Sequence, residues 1–474
     1  MVGFHALLKP YALGLGLSGL LGALLCACHS PLEKFAHEAP PQKRYTLTGV
    51  HLIPIEPAGL LRDQTLIVEK GQIVAMGPRQ QVKIPPETDI LPVQGQYVLP
   101  GFADMHVHLA HERDLLLFLR HGITQVRNMA HSPTWAQVAG FPDVRRLREK
   151  VRQGELLGPA IFACGPILDG DPPQNGLNQA IARPEQAKEA VQNTAKAGFD
   201  CVKVYNRLSR ENFDQIVETA RAEKVPVMGH VPFAVGIDHA LEVKMDSIEH
   251  LNAYVENFAG HYRIPADQLL AYGKKTATAG VFNCPTLVMW DQHPPPDDVE
   301  ALGRDPRFEE IPPFLRQLWA WSIPELYKIT YPGPPRDYPQ ALLELSKRMV
   351  KALDEADSPL LIGTDANLTG VHPGSTALRE MELFAEAGVS PQRILTAATL
   401  NPARLIQQDH VQGSLAIGKK ADLVVLKANP LADIRHVRQT QGVLVQGRWL
   451  SVAALDQMLK ASAYGQVSKD PGAE

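Results

Sequence analysis

Between Leu99 and Arg404 the chain alternates short apolar segments with stretches of helical spacing, and this strand-then-helix texture constrains the fold more than any other feature. Eight strand candidates stand out: VLPGFADMHVHL, TQVRNM, AIFACGP, CVKVYN, VPVMGHV, DSIEH, VFNCPTLV and LLIGTDA, separated by helical text such as DLLLFLRHG and ALLELSKRMVKALDEA. Eight such units over about 300 residues predict an α/β fold built on a (β/α)8 TIM-like barrel, where functional groups collect at the carboxyl ends of the strands.

The flanks read differently. Tyr45 to Val98 gives short strands and turns, with Glu69-Lys70-Gly71-Gln72 as a hairpin turn, and the same texture returns in GSLAIGKKADLVVLKA and TQGVLVQGRWL. Chain ends often lie close together, so the two pieces are expected to pair into one small discontinuous β-sandwich domain. The expected layout is a composite domain of 29–98 plus 405–460, a barrel over 99–404 and a tail over 461–474. A Pro- and Trp-rich stretch over 290–340 follows the seventh strand and should emerge on the catalytic face as a lid, or else form a surface excursion or dimer contact.

Lys9 precedes an apolar stretch from Tyr11 to Cys26 that ends in small residues, the pattern of a signal peptide over 1–28. Leu25-Cys26-Ala27-Cys28 resembles a lipobox, so lipidation at Cys28 is one expected outcome and simple cleavage another. The stretch is shorter than the roughly 20 residues that a spanning helix needs. An exported, periplasmic or envelope-anchored bacterial protein is expected, touching the membrane only through such an anchor. Beyond that segment Cys164, Cys201 and Cys284 form an odd set inside strand-like runs, and they are expected as buried free thiols without a disulfide framework.

With 474 residues, 45% of them hydrophobic, the chain can bury a large core. Its formal net charge of -4, uninterrupted by any long Lys/Arg run, argues against nucleic acid as a partner and leaves a small molecule or dipeptide as substrate. A barrel with a side domain also offers surfaces for a homo-oligomer.

In the first strand His106 and His108 flank Val107, and the two-residue period of a strand turns both imidazoles to one side. That suits two ligands on one metal. His230 closes VPVMGH, His250 closes SIEH and Asp365 closes LLIGTDA, so three more strands end in metal-ligand types that a barrel would bring together. Lys203 lies inside Cys201-Val202-Lys203-Val204-Tyr205, an apolar setting that is costly for a lysine unless it is paired or uncharged. It is either salt-bridged to a carboxylate such as Asp365, or a neutral amine able to add carbon dioxide and bridge two ions as a carbamate. Arg127, Asn128 and His372 are candidates to bind a substrate carboxylate or amide, Arg127 being equally open to a strand-end ion pair. His111, His121, His131, His239, His261 and His293 are given no ligand role.

GFADMHVH, Lys203, His230, His250 and GTDA, together with the tail LTAATLNPARLI and GSLAIGKKADLVVL, resemble the amidohydrolase superfamily over nearly all of the chain after residue 28. VKVYN, IEHLN and HPGSTALREMELFAEAGVSP are similar to its imidazolonepropionase-like and Xaa-Pro dipeptidase-like branch. The resemblance implies two divalent ions, zinc being the first choice with Mn, Co or Fe open. A carboxylated Lys203 would bridge them, one also held by His106, His108 and Asp365 and the other by His230 and His250. It further implies hydrolysis by a bridging water, with Asp365 as general base and then acid, and with Tyr205 as an oxyanion donor unless Tyr205 only packs under the insertion. An amide bond in a dipeptide or N-acyl amino acid is the expected target. A mononuclear deaminase, a cyclic-amide or lactone hydrolase, and a non-catalytic scaffold are the competing readings.

Overall fold

The computed structural model describes residues 43–131, 141–251, 253–254, 265–293, 301–319 and 338–464. The signal segment lies outside these, as do 294–300 and 320–337 of the insertion and 465–474 of the tail. In chain order the strands are β1 (Tyr45–Leu52), β2 (Leu61–Glu69), β3 (Gln72–Pro78), β4 (Asp89–Ile90), β5 (Tyr97–Pro100), β6 (Phe102–Val107), β7 (Ile123–Asn128), β8 (Ala160–Asp169), β9 (Gln179–Ala180), β10 (Cys201–Val204), β11 (Val227–Gly229), β12 (Ser247–Glu249), β13 (Phe282–Cys284), β14 (Leu423–Leu426), β15 (Thr440–Val445) and β16 (Arg448–Ser451).

Both ends of the chain share one sheet of order β16-β15-β14-β5-β1-β2-β3, with β4 on β1. The join is the antiparallel pair β14 and β5, Val424 facing Leu99. The expected turn at Lys70-Gly71 closes the β2–β3 hairpin, and both residues take positive φ (51° and 74°), as a two-residue hairpin turn of matching twist requires. From that turn the sheet folds back toward its own middle, because Ile73 N donates to Lys419 O (2.9 Å) and Ala421 N to Gly71 O (2.8 Å) just ahead of β14. Leu47, Val50, Leu66, Ile73, Val98 and Leu444 are fully buried in the space so enclosed.

The second sheet is parallel, of order β13-β12-β11-β10-β8-β7-β6. The expected eighth strand, LLIGTDA, is present as a closing segment hydrogen-bonded on both sides rather than as a regular strand. Leu361 N donates to Asn283 O (2.8 Å), Met105 N to Ile362 O (2.8 Å) and Asp365 N to His106 O (2.7 Å), which links β13 to β6 and closes the barrel. Here a β-carbon at Gly363 would lie 2.2 Å from Cys284 Sγ, so the segment approaches its neighbours as closely as it does because residue 363 has no side chain. Helices cover the outside by turning one apolar stripe inward. Ser209 caps the helix Arg210–Glu223 by accepting from Asn212 N, and Phe213, Ile216, Val217 and Ala220, spaced at one helical face, are among its buried residues.

One expectation is corrected. Cys164 and Cys201 are not free thiols but are joined in a disulfide, with Cys284 left as the free cysteine among the described residues. They are register partners on the neighbouring strands β8 and β10, their Cα atoms are 4.4 Å apart, and both side chains share the cluster of Met105, Met129 and Met228. Neither the odd cysteine count nor the apolar context shows which residues a parallel ladder sets side by side.

Glu380, fully buried on the helix Ser375–Glu386, fixes part of the rim above the barrel. Its two oxygens accept from Leu287 N (2.9 Å) and Val288 N (2.7 Å), the first amides of the helix Leu287–Asp291. Burial pushes its carboxyl up to about 8 despite those donors. Glu380→Ala leaves two buried N–H groups without acceptors, so a loss of about 2–4 kcal/mol is expected in urea unfolding. Glu380→Gln, which keeps one acceptor oxygen, should fall between Glu380→Ala and the native protein.

Candidate active site

The barrel mouth brings all six sequence-predicted ligands together. His106 lies near the end of β6, fully buried, and His108 stands one residue beyond that strand. Asp365 Oδ1 lies 2.9 Å from His108 Nε2 and 3.5 Å from His106 Nε2, while its Oδ2 lies 3.8 Å from His250 Nε2. Lys203 Nζ, from β10, is 3.2 Å from His106 Nε2. The rings of His106 and His250 are 4.5 Å apart, those of His250 and His230 4.6 Å, and that of Tyr205 lies 4.1 Å from His230. His250 and Asp365 both take left-handed backbone conformations, with φ of 68° and 67°. Strain of that kind in residues other than glycine persists where the surroundings impose it, and it clusters at functional sites.

The ring nitrogens turned away from the cluster are each tied. His106 Nδ1 meets Glu249 Oε2 (2.7 Å), His230 Nδ1 meets Asn206 Oδ1 (2.9 Å) and His250 Nδ1 meets Thr286 Oγ1 (2.8 Å). Such partners fix the tautomer and leave Nε2 as the free donor of a lone pair. Burial drives His106 and His230 well below the usual histidine range and His250 down to about 4, so all three are neutral imidazoles. Burial would raise the Asp365 carboxyl, but the neighbouring His106, His108 and His250 outweigh it and hold the group far into its ionised form. Lys203 is lowered, chiefly by burial, though Asp365 and Glu249 oppose the shift.

These residues fit a divalent-metal site. Asp365 Oδ1 is buried without a hydrogen-bond partner, with His108 Nε2 2.9 Å and His106 Nε2 3.5 Å away. His106, His108 and Asp365 present ligand atoms within 4.8 Å of one another. A second such trio, His106, Glu249 and Cys284, is less suited, because Glu249 is already held by Arg127 and burial pushes the Cys284 thiol up.

Of three expected substrate contacts, Asn128 lines the cavity and Arg127 and His372 do not. Arg127 is fully buried inside the barrel, where it gives Nη2 to Glu249 Oε1 (2.7 Å) and Nη1 to Met228 Sδ, so the strand-end ion pair is the reading that the structure favours. His372 does not line the cavity: it packs edge-on to Trp319 at 5.5 Å, with Asp305 Oδ2 3.8 Å from its Nε2. Asn128 does line it, but its Oδ1 accepts from Leu109 N (2.8 Å) and so shapes the loop after β6. Of the 290–340 stretch, residues 290–293, 301–319 and 338–340 are described, and Leu315 and Leu318 form part of the cavity wall while Trp319 Nε1 donates to Asn367 O (3.1 Å).

Sequence reasoning passed over Glu249, Asp104, Asn206 and Thr286. Glu249 carried a signal: a carboxylate within the buried strand Ser247–Glu249 is as costly unpaired as Lys203, and it needs a cation or donor. It receives Arg127, Ser247 Oγ (2.5 Å) and His106. Asp104 Oδ2 accepts from Thr364 Oγ1 (2.7 Å) and so ties β6 to the closing segment. Glu249→Gln turns a strong acceptor for His106 into a neutral amide. Metal affinity is expected to fall about 10–100-fold, as read by competition with a chromophoric chelator.

Comparison with known proteins decides the family, since the model of the Amidohydrolase family matches residues 97–261 and 330–450. The chain belongs to the amidohydrolase family. It is an enzyme acting on carbon–nitrogen bonds, of a family that generally binds divalent metals, and candidate ligand groups stand at its barrel mouth. The imidazolonepropionase of Brevibacillus brevis is 24% identical over 412 residues, which cover 80% of this chain and 88% of that one. Among solved structures, bottromycin amidohydrolase matches with a TM-score of 0.70 and 27% identity over 91% of this chain and 93% of its own. A Xaa-Pro dipeptidase with bound methionine matches with a TM-score of 0.64 and 20% identity over 86% of this chain and all of its own, which is a likeness of fold.

Proposed function

We propose that this amidohydrolase cleaves an amide bond with two divalent ions, held by His106, His108, Lys203, His230, His250 and Asp365, with Lys203 as its carbamate. The observation that carries the reading is the convergence of His106, His108 and His250 Nε2 on the Asp365 carboxylate, beside Lys203, with the Nδ1 atoms of His106, His230 and His250 tied to Glu249, Asn206 and Thr286. A mononuclear branch has no use for a lysine at residue 203, whereas here Lys203 sits within reach of His106 and has its ammonium form disfavoured. Its neutral amine adds carbon dioxide with one new N–C bond and loss of one proton, giving an anion with two oxygens.

When bound, zinc or a similar divalent pair lowers the pKa of a water and polarises the scissile carbonyl. Asp365, held ionised by its imidazole neighbours, accepts the water's proton and returns it to the departing nitrogen, so one carboxylate acts as base and then acid. Tyr205 stays protonated, its phenol pushed up to about 12 by burial and by Asp365, and its hydroxyl is available to donate to the developing oxyanion. Export is part of the same reading: the Cys164–Cys201 disulfide suits an oxidising compartment. The test is hydrolysis of an arylamide panel by the zinc-loaded enzyme, lost on chelation and regained on reloading. Turnover that survives complete metal removal would refute the proposal.

A further inference from the structure

An arginine keeps its charge inside a protein, so burying one is expensive unless its donors are met. Arg127, on β7, is fully buried, and each of its side-chain nitrogens has a partner. Nε donates to Met105 O, Nη1 meets Met228 Sδ (3.0 Å) and Nη2 donates to Glu249 Oε1 (2.7 Å). These partners belong to β6, β11 and β12, and in the closed order of strands β12 stands across the barrel from β7, so the side chain spans the interior. The same three strands deliver ligands to the mouth: Met105 precedes His106, β11 leads into His230 and β12 into His250. One guanidinium therefore grips three ligand-bearing strands from within.

That grip reaches His106 twice. Through Met105 O it holds the peptide just ahead of the ligand. Through Glu249 it holds the ring, because Arg127 and Ser247 Oγ (2.5 Å) take Oε1 of that carboxylate, which leaves Oε2 for His106 Nδ1 at 2.7 Å. A hydroxyl alone does not balance a carboxylate buried as deeply as Glu249. Without the guanidinium, Glu249 would move toward whatever cation it could reach and cease to be a fixed acceptor. A rival ligand set stands ready, since Glu249, Cys284 and His106 already present ligand atoms within 4.8 Å of one another.

We propose that Arg127 is a positioning residue of the metal centre: by anchoring Glu249 it fixes the His106 ring for the ion and withholds Glu249 from the ion itself. This rests on the two-ion reading above and extends it to a residue inside the barrel.

The test is a double-mutant cycle on the full chain with cobalt as the probe. Arg127→Met, Glu249→Gln and the two together are stripped of metal and titrated with cobalt against a chromophoric chelator, each beside a thermal melt. Each single substitution is expected to lower cobalt affinity about 10–100-fold, the range associated with loss of a ligand histidine's partner. The double variant should stay within about threefold of Glu249→Gln, because residues in one chain of contacts do not add. It should also melt above either single variant, since each single leaves one buried charge unpaired and the double removes both. A residue that only supported the fold would regain metal affinity along with the melt. Native affinity in Arg127→Met, a double variant that regains native affinity, or one weakened by the product of the two singles would overturn the proposal and leave the two-ion reading standing. A native chain that binds no cobalt would overturn both.

Discussion

Lys203→Ala is expected to lower kcat/KM by roughly 10³-fold or more and to cut bound metal from two equivalents to one or none. Lys203 is 2% exposed and its amine lies 3.2 Å from His106 Nε2, so the substitution removes the group that both ions would share. Charge stabilisation by a metal centre is worth several kcal/mol, which sets that scale of loss. Metal content by mass spectrometry, run beside the kinetics and a thermal melt, separates loss of the site from loss of the fold. The remaining ligands come from the ends of β6, β11 and β12 and from the closing segment, none of which needs the Lys203 side chain for its backbone bonds, so the melt should shift by only a few degrees.

Asp365→Asn is expected to lower kcat by about 10²–10⁴-fold, the range associated with a positioned proton-transfer group. The amide has the carboxylate's shape but cannot take a proton near neutral pH. The imidazole neighbours His106, His108 and His250 hold the Asp365 carboxyl below its ordinary value, which favours the ionised form that a base needs. The substituted amide would still offer one oxygen toward His108, and the variant should recover most of its metal when metal is supplied in excess, while its kcat stays low. Recovery of kcat along with the metal would mean that Asp365 serves only as a ligand.

The parts of this enzyme that were legible in the sequence are those set by local periodicity. A two-residue period fixes that His106 and His108 share a face, and a barrel requires strand ends to converge, so His230, His250 and Asp365 could be gathered without knowing a single long-range contact. Where the partner lies far along the chain the sequence is silent. Arg127 and Glu249 are 122 residues apart, and each in isolation resembles a residue at a strand end that is free to meet substrate. The same holds for Cys164 and Cys201, whose pairing depends on the register between β8 and β10. Glu249 was the one recoverable omission, since the burial argument applied to Lys203 applies equally to a carboxylate two strands away. His372 misled because nearness in sequence to Asp365 was read as nearness to the cavity, whereas the chain turns it against Trp319.

The most direct test of two-ion catalysis is a metal titration. Chelated enzyme is reloaded with zinc in fractions of an equivalent, with bicarbonate present to supply carbon dioxide to Lys203, and amide hydrolysis is followed at each step. A two-ion centre predicts activity that rises to a plateau at two equivalents per chain and a Lys203→Ala variant that gains almost none. Full activity at one equivalent, or a plateau reached equally by Lys203→Ala, would contradict it.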